Sequence, residues 1–322
     1  MPPSLIESDT LLPSLDPLLL VEAIRAGHQH EAIPTARSAL EDIQENGEIN
    51  HFISLTAWQP GTALGAKLST VFPANERLGH GQNIHSVFVL FDGENGALLG
   101  VITGDSFTRY KTAADSALGA SILARSDATN LVVLGAGSQA EPHIRLMCAV
   151  RPSIKQVTIW NRTESKARAL TDNLSLPGVK VASTTDLESA VRAADIVTCI
   201  TSASKPVLKG AWLQPGTHVD LVGAFTDAMR ESDDETMRRG RIFLNNPALA
   251  MASGDISAPI ATGVISASSI AGDLFDLCTG RVAGRTSAAE ITIYKNAGGG
   301  HLDLMVARAL YKLSNTRADP TV

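Results

Sequence analysis

The sequence predicts an α/β protein: a doubly wound parallel sheet joined to a discontinuous α+β domain. Two observations carry this. After Asn130, the short apolar runs "NLVVLG", "QVTIW", "VKVA", "DIVTCI", "HVDLVG" and "RIFLN" alternate with helical stretches such as 186–194, and such alternation argues for parallel strands covered on both faces. From about 50 to 102, "FISLTAW", "ALGAKLSTVFP", "SVFVLFD" and "ALLGVIT" are strands broken by Pro60-Gly61, Gly79 to Gly81 and Glu94-Asn95-Gly96, the pattern of an antiparallel sheet.

Taken in order, residues 1–30 read as one acid-capped amphipathic helix, with Leu18, Leu19, Leu20, Ala23 and Ile24 on its apolar side. His28 and His30 fall at its end and read as solvated rather than metal-binding. "FDGENGALL" is a tight hairpin, since Asn95-Gly96 supplies the positive φ that such turns need. "SFTRYKTAADSALGASILAR" is a helix rich in Ala and Leu. The alternation ends near "EITIYKN", and a last helix at about 301–314 returns to the first domain. The expected domains are therefore 1–116 with 298–322, and 117–297.

With 322 residues, 44% hydrophobic and 19% charged, the chain has the composition of a globular protein with a sizeable core. A net charge of −6 supplies no basic field for nucleic acid or an anionic membrane. The three cysteines lie far apart without a C-x-x-C pair, which fits a reducing cytoplasm. No histidine spacing marks a metal site, the N-terminus has no basic region of a leader, and no apolar run approaches the roughly 20 residues of a membrane span.

"LVVLGAGSQAEPH" carries G-x-G-x-x-A at Gly135, Gly137 and Ala140. Gly135 allows the tight turn, Gly137 lets backbone approach a pyrophosphate, and Ala140 lets the helix pack closely on its strand. Ser138 and Gln139 complete the loop, and Ser138 with Glu141 has capping-box spacing. An apolar strand before the motif and a helix after it make this a Rossmann-type dinucleotide site. The second strand, "QVTIW", ends in Asn161, Arg162 and Thr163, where an Asp or Glu would hold a free ribose hydroxyl. A guanidinium beside a hydroxyl suits a 2′-phosphate, so NADPH is expected in preference to NADH.

Together "GAKLSTVFPAN", "VFVLFDGENGALLG", "FTRYKTAADSALGA", "VVLGAGSQA", "WNRT", "VGAFTDAMRE" and "GRTSAAEITIYKNAGGGHLDL" resemble the ornithine cyclodeaminase/mu-crystallin family over nearly the whole chain. The resemblance implies a homodimer joined through the N-terminal sheet and a substrate cleft between the domains. It also implies cofactor contacts from Thr201 and Asn296. For the substrate carboxylate it implies cationic side chains at Arg37 and Lys67, with a third at Lys111, where the family usually has Arg. Lysine lacks the two-pronged grip of guanidinium, and Arg109 is a candidate to share the role.

In the cyclodeaminases of this family the strand corresponding to "HVDLVG" ends in V-G-G-D, whose Asp serves deamination. Here Phe225 stands at that position, Asp227 follows two residues later, and "MRESDDETMRRG" reads as a charged, solvent-facing helix. A hydride carrier and a cationic clamp remain, sufficient to reduce an imine beside a carboxylate. The expected reaction is reduction of Δ1-pyrroline-2-carboxylate to proline or of Δ1-piperideine-2-carboxylate to pipecolate, with Lys67, then His85, as proton donor. The competing readings are an alanine-type amino-acid dehydrogenase, an ornithine cyclodeaminase, and a non-catalytic binder of NADPH and small acids.

Overall fold

Burial alternates along the strand Ala63–Val71, where Ala63, Gly65 and Lys67 are buried and the residues between them are half-buried. That is the period of a sheet with one covered face. The computed structural model describes residues 3–30 and 32–318. The chain divides into two units, Met1–Gly27, Glu31–Lys111 and Gly299–Val322 forming the first, and His28–His30 with Thr112–Gly298 the second.

The first unit is built on six strands, β1 (Ser4–Glu7), β2 (Thr35–Ile43), β3 (Ile49–Gln59), β4 (Ala63–Val71), β5 (Ile84–Asp92) and β6 (Leu98–Thr103). Their spatial order is β1-β6-β5-β4-β3-β2. Strands β2 to β6 are antiparallel neighbours and β1 adds parallel to β6. The hairpin between β5 and β6 forms where expected, but only Gly96 takes a positive φ, 73°, and the loop is wider than an Asn-Gly two-residue turn. It is closed by Asp92 N–H on the Ala97 carbonyl at 2.9 Å and by the Asp92 side chain, which accepts from the backbone of Glu94 and Asn95. The helix Gly300–Ala318 packs across β3, β4 and β5, and the helix Pro17–Gly27 packs against it. Leu302, Val306 and Leu310 on one helix and Leu20, Val21 and Ile24 on the other are buried there.

The described part of the expected 1–30 helix, residues 3–30, is not one helix. It forms β1, two short turns of helix and then Pro17–Gly27. Proline explains the break: Pro13 sits at the start of a short 3-10 turn, and Pro17 opens the last helix, where Asp16 caps the Leu18 amide at 3.0 Å. The restart rotates the apolar face, so Leu18 and Leu19 are exposed. His28 is not solvated either, being buried with its ring 4.3 Å from that of Phe275.

The second unit carries eight parallel strands: β7 (Asn130–Leu134), β8 (Gln156–Trp160), β9 (Lys180–Thr184), β10 (Ile196–Cys199), β11 (His218–Leu221), β12 (Arg241–Leu244), β13 (Ile270–Asp273) and β14 (Thr292–Lys295). Their order is β13-β12-β14-β11-β10-β7-β8-β9. The chain first runs outward from β7 through β8 to β9, then returns to the other side of β7 with β10 and β11. The order therefore reverses between β7 and β10, the switch point where doubly wound sheets bind ligands. Every residue of β10, β11 and β14 is buried, and an apolar cluster covers each face of the sheet. This is the α/β fold that the alternating strands predict.

Candidate functional site

A cavity of ≈ 390 Å³ opens at the switch point of the second unit, lined by the loops after β7, β8 and β10. Gly135 turns the first loop at φ 116°, and a β-carbon there would stand 2.7 Å from the Ile200 carbonyl oxygen. Gly137 differs: a β-carbon would meet no protein atom within 4 Å. The chain's own packing does not demand glycine at 137, and the space beside it is open to close approach by a ligand. Asn161 ties two loops together, accepting from Ala136 N–H at 3.2 Å and donating to the Thr163 carbonyl at 2.9 Å.

The helix Ala140–Val150 begins at this loop with Gln139 as its N-cap and no side-chain cap bond. Ser138 and Glu141 therefore do not form the expected capping box. Without that box, Ser138 lines the cavity together with Gln139, at a helix end suited to an anion. Arg162, Thr163 and Lys166 line another part of it, and among the described residues no carboxylate does. Lys166 was not singled out by sequence, although "NRTESK" places it one turn into the helix Glu164–Asn173. An uncrowded Gly137 at a helix N-terminus and two cations fit a dinucleotide.

The wall after β10 is held from behind by a carboxylate. Glu231 is fully buried, and its Oε1 accepts from the Thr201 N–H at 2.6 Å and the Thr201 hydroxyl at 2.8 Å. Its Oε2 accepts from Gly223 N–H at 2.6 Å and, at 3.2 Å, from the Val222 N–H that also donates to the Cys199 carbonyl at 2.9 Å. "MRESDDETMRRG" is thus not a solvent-facing helix throughout; only Asp234–Arg239 is helical, and Glu231 and Ser232 before it are buried. Asp255 accepts from the Glu231 and Ser232 amides and contacts the buried Lys295 ammonium at 3.3 Å. Burial and the Asp255 charge push Glu231 up to about 7, against the pull of Lys295 and the Thr201 bonds. Asp220 on β11 is pushed up to about 8, by burial first.

The first unit holds a second charged group. Lys67 Nζ lies 3.2 Å from Asp303 Oδ2, and Lys111 Nζ lies 3.2 Å from Asp303 Oδ1. All three are buried, Lys67 keeping 8% of its surface. Lys67 stands on the covered face of β4, Lys111 on the helix Ser106–Leu123 and Asp303 on Gly300–Ala318. Two ammonium groups against one carboxylate leave one positive charge in excess, the requirement for receiving an anion. Burial and the neighbouring Lys111 lower the Lys67 pKa, and Asp303 opposes them. Asp303 is itself held below the usual carboxylate range, because the two ammonium groups outweigh its burial.

The other expected site residues, the clamp candidates Arg37 and Arg109, the proton-donor candidate His85 and the cofactor contacts Asn296 and Thr201, lie apart from this group. Arg37 pairs with Leu55, and Leu55 with Lys67, so Arg37 shares the Lys67 face two strands away and is exposed. His85 pairs with Thr70, and Thr70 with Phe52 and Leu40 in turn, which puts it on the opposite, exposed face. Arg109 is two residues from Lys111, about 200° round the helix, and lies 3.6 Å from Asp9 and 3.4 Å from the Ser106 hydroxyl. Asn296 is buried, donating to the Thr112 carbonyl and Ser116 hydroxyl and accepting from Gly298 N–H. Thr201 lines the cavity while its hydroxyl serves Glu231. Phe225 is 70% exposed and Asp227 is exposed, so neither is a buried proton-transfer group.

A switch-point cavity behind a glycine loop defines a Rossmann-type, dinucleotide-fold protein, and the first unit adds a buried cationic group. The family model described as the ornithine cyclodeaminase/mu-crystallin family matches residues 22–317, and the chain belongs to that family. It is 41% identical over 288 residues, 89% of each chain, to the Δ1-pyrroline-2-carboxylate reductase of Paracoccus denitrificans. The solved Δ1-pyrroline-2-carboxylate reductase of Thermococcus litoralis, in complex with NADH and L-proline, superposes with a TM-score of 0.88 at 25% identity over 98% of both chains. The iminosuccinate reductase of Paracoccus denitrificans, in complex with NAD+, gives 0.85 at 25% identity over 98% of this chain and 97% of its own.

Proposed function

We propose that this protein is a nicotinamide-dependent reductase of a cyclic imine carrying a carboxylate beside the C=N bond. The substrate in this reading is Δ1-pyrroline-2-carboxylate, reduced to proline, with Δ1-piperideine-2-carboxylate, reduced to pipecolate, as a second substrate. The buried Lys67–Lys111–Asp303 group carries it. Its excess positive charge attracts a carboxylate, and charge-assisted bonds in a desolvated site are strong. The bound cofactor supplies a hydride to the imine carbon. Lys67, its pKa lowered, delivers the proton that keeps the ring nitrogen cationic, so C=N becomes CH–NH with one hydride and one proton consumed. The relatives that are reductases of the same imine support this substrate class.

A deaminase reading loses support at Phe225, which offers no proton where the cyclodeaminases have Asp. For the cofactor, Arg162 and Lys166 favour NADPH over NADH, since two cations and no carboxylate suit a 2′-phosphate. Leu40, Phe52 and Trp58 expose an apolar face of the first sheet, on which we place a second copy of the chain; sedimentation as a monomer at micromolar concentration contradicts that.

The test incubates purified protein with NADPH or NADH and each imine, following loss of nicotinamide absorbance. The expected result is turnover of at least one cyclic imine, with NADPH the better donor and Arg162→Ala abolishing that preference. Ammonia release from ornithine with no net reductant consumed, or tight NADPH binding without turnover of any imine, overturns it.

A further inference from the structure

Resting on the nicotinamide-dependent reading above, we infer that Glu231 is a positioning residue: its ionised carboxylate holds the Thr201 wall of the cofactor cavity in its binding shape. Its work is done through backbone, joining the end of β10, at Thr201, to the end of β11, at Val222 and Gly223.

The geometry is specific to an anion. All four groups aimed at the carboxylate are donors, the Thr201 N–H and hydroxyl, the Gly223 N–H and a Val222 N–H shared with the Cys199 carbonyl. A proton on either oxygen would face a donor and remove an acceptor. The two strand ends meet so closely that a β-carbon on Gly223 would fall 1.8 Å from the Thr201 carbonyl and 2.6 Å from Glu231 Oε1. Glycine there and glutamate at 231 are thus one device. The glutamate is fixed in turn: its amide donates to Asp255 at 2.8 Å, and its carbonyl accepts from Val207 and Leu208 at 2.8 and 2.9 Å. The held segment is the cavity wall itself, since Ile200, Thr201, Ser202 and Ala203 all line it.

The charged and titratable groups facing Glu231 come from each element around it. Asp255 from the helix Gly254–Ala261 opposes its ionisation and Lys295 on β14 favours it; Asp220 on β11, pushed up to about 8, is still neutral where Glu231 titrates, and burial first, then these acids, pushes the Cys199 thiol on β10 well up. The balance puts its titration near neutrality, so cofactor affinity is expected to rise as pH rises through about 7.

The experiment measures the dissociation constant of NADH by fluorescence from pH 5.5 to 8.5, without substrate. NADH is the probe because it has no 2′-phosphate titrating in this range. Wild type should bind several-fold more weakly at the acid end. Glu231→Gln, which keeps the shape and loses the charge, should bind about tenfold more weakly at pH 8 and show no pH dependence. Thr201→Val, which removes one donor and leaves the carboxylate, should bind about threefold more weakly and keep the pH dependence. If Glu231→Gln does not fold, the wild-type profile and Thr201→Val decide. A flat wild-type profile, or variants that bind as tightly as wild type, overturns the inference while leaving the reductase reading intact. Normal NADH binding without imine turnover sinks the reductase reading and leaves the role of Glu231 standing. A wild type that binds neither NADH nor NADPH defeats both.

Discussion

Lys67, Lys111 and Asp303 form a group in which the cost of losing a member depends on which charge is left behind. Lys67→Met leaves Lys111 paired with Asp303, a neutral pair that stays compensated. The fold should survive, NADH affinity should be unchanged, and kcat/KM for the imine should fall by roughly 10²–10⁴ as the proton donor and excess charge disappear. Asp303→Asn instead leaves two buried ammonium groups without a counter-ion, and should cost about 3–5 kcal/mol of stability. Denaturation midpoints and steady-state kinetics on the pair check this; equal stability losses would mean the ammonium groups are not sharing that carboxylate. Lys67 was visible in sequence as a lysine inside an alternating strand with a recognisable motif. Asp303 was not, because its partner is 236 residues away and nothing local marks it as buried. Glu231 was hidden more completely. It stands in a run of acids whose composition reads as solvated, and only donors delivered by two separate strands make its burial tolerable.

Among elements, those with a strong period or a special backbone were legible. The antiparallel strands β3 to β6, the parallel run from β7 to β12 and the glycine loop were all expected where they occur. Three strands escaped. β2 is exposed at almost every position, so it has no burial alternation to read, while β1 and β13 are four residues each and are defined by their partners rather than by their own sequences. The glycine loop allows a sharper test than its motif. Gly135→Ala places a β-carbon against Ile200 at a φ that L-residues resist, so it should destabilise the protein by about 1–3 kcal/mol. Gly137→Ala meets no protein atom, so its thermal midpoint should stay within about 2 °C of wild type. Its NADH affinity should nonetheless fall about tenfold or more, because the methyl group occupies the ligand's space. Calorimetry with a binding titration separates the two; an unimpaired Gly137→Ala would show that the pyrophosphate does not approach there.

At the scale of the whole molecule, the buried titratable groups of the second unit set a pH dependence of stability that no single site reveals. Burial holds His143 down to about 4 and His218 down to about 3, whereas Asp220 and Glu231 are raised to about 8 and about 7. In the unfolded chain these histidines titrate near ~6.5 and the acids near ~4. Between those limits the unfolded chain carries two protons on histidine and the folded chain two on carboxylates, so the counts match and stability is level. Above about pH 6.5 the unfolded histidines are neutral while the folded carboxylates remain protonated, so the folded state binds more protons and loses stability as pH rises. At roughly 1.4 kcal/mol per proton per pH unit, the loss from pH 6.5 to 8 should be about 2–3 kcal/mol. Asp220→Asn, which resembles the protonated acid, should be nearly neutral at pH 5.5 and should remove most of that loss at pH 8. Thermal unfolding of both proteins across this range measures it. An Asp220→Asn protein that is destabilised at pH 8, with wild type showing no alkaline decline, would mean Asp220 is ionised in the fold and favourably paired. The same titration pulls function the other way, since ionised Glu231 is the form that shapes the cofactor wall. Bound NADH should therefore offset part of the alkaline loss, and the gap between free and bound thermal midpoints should widen from pH 6 to pH 8.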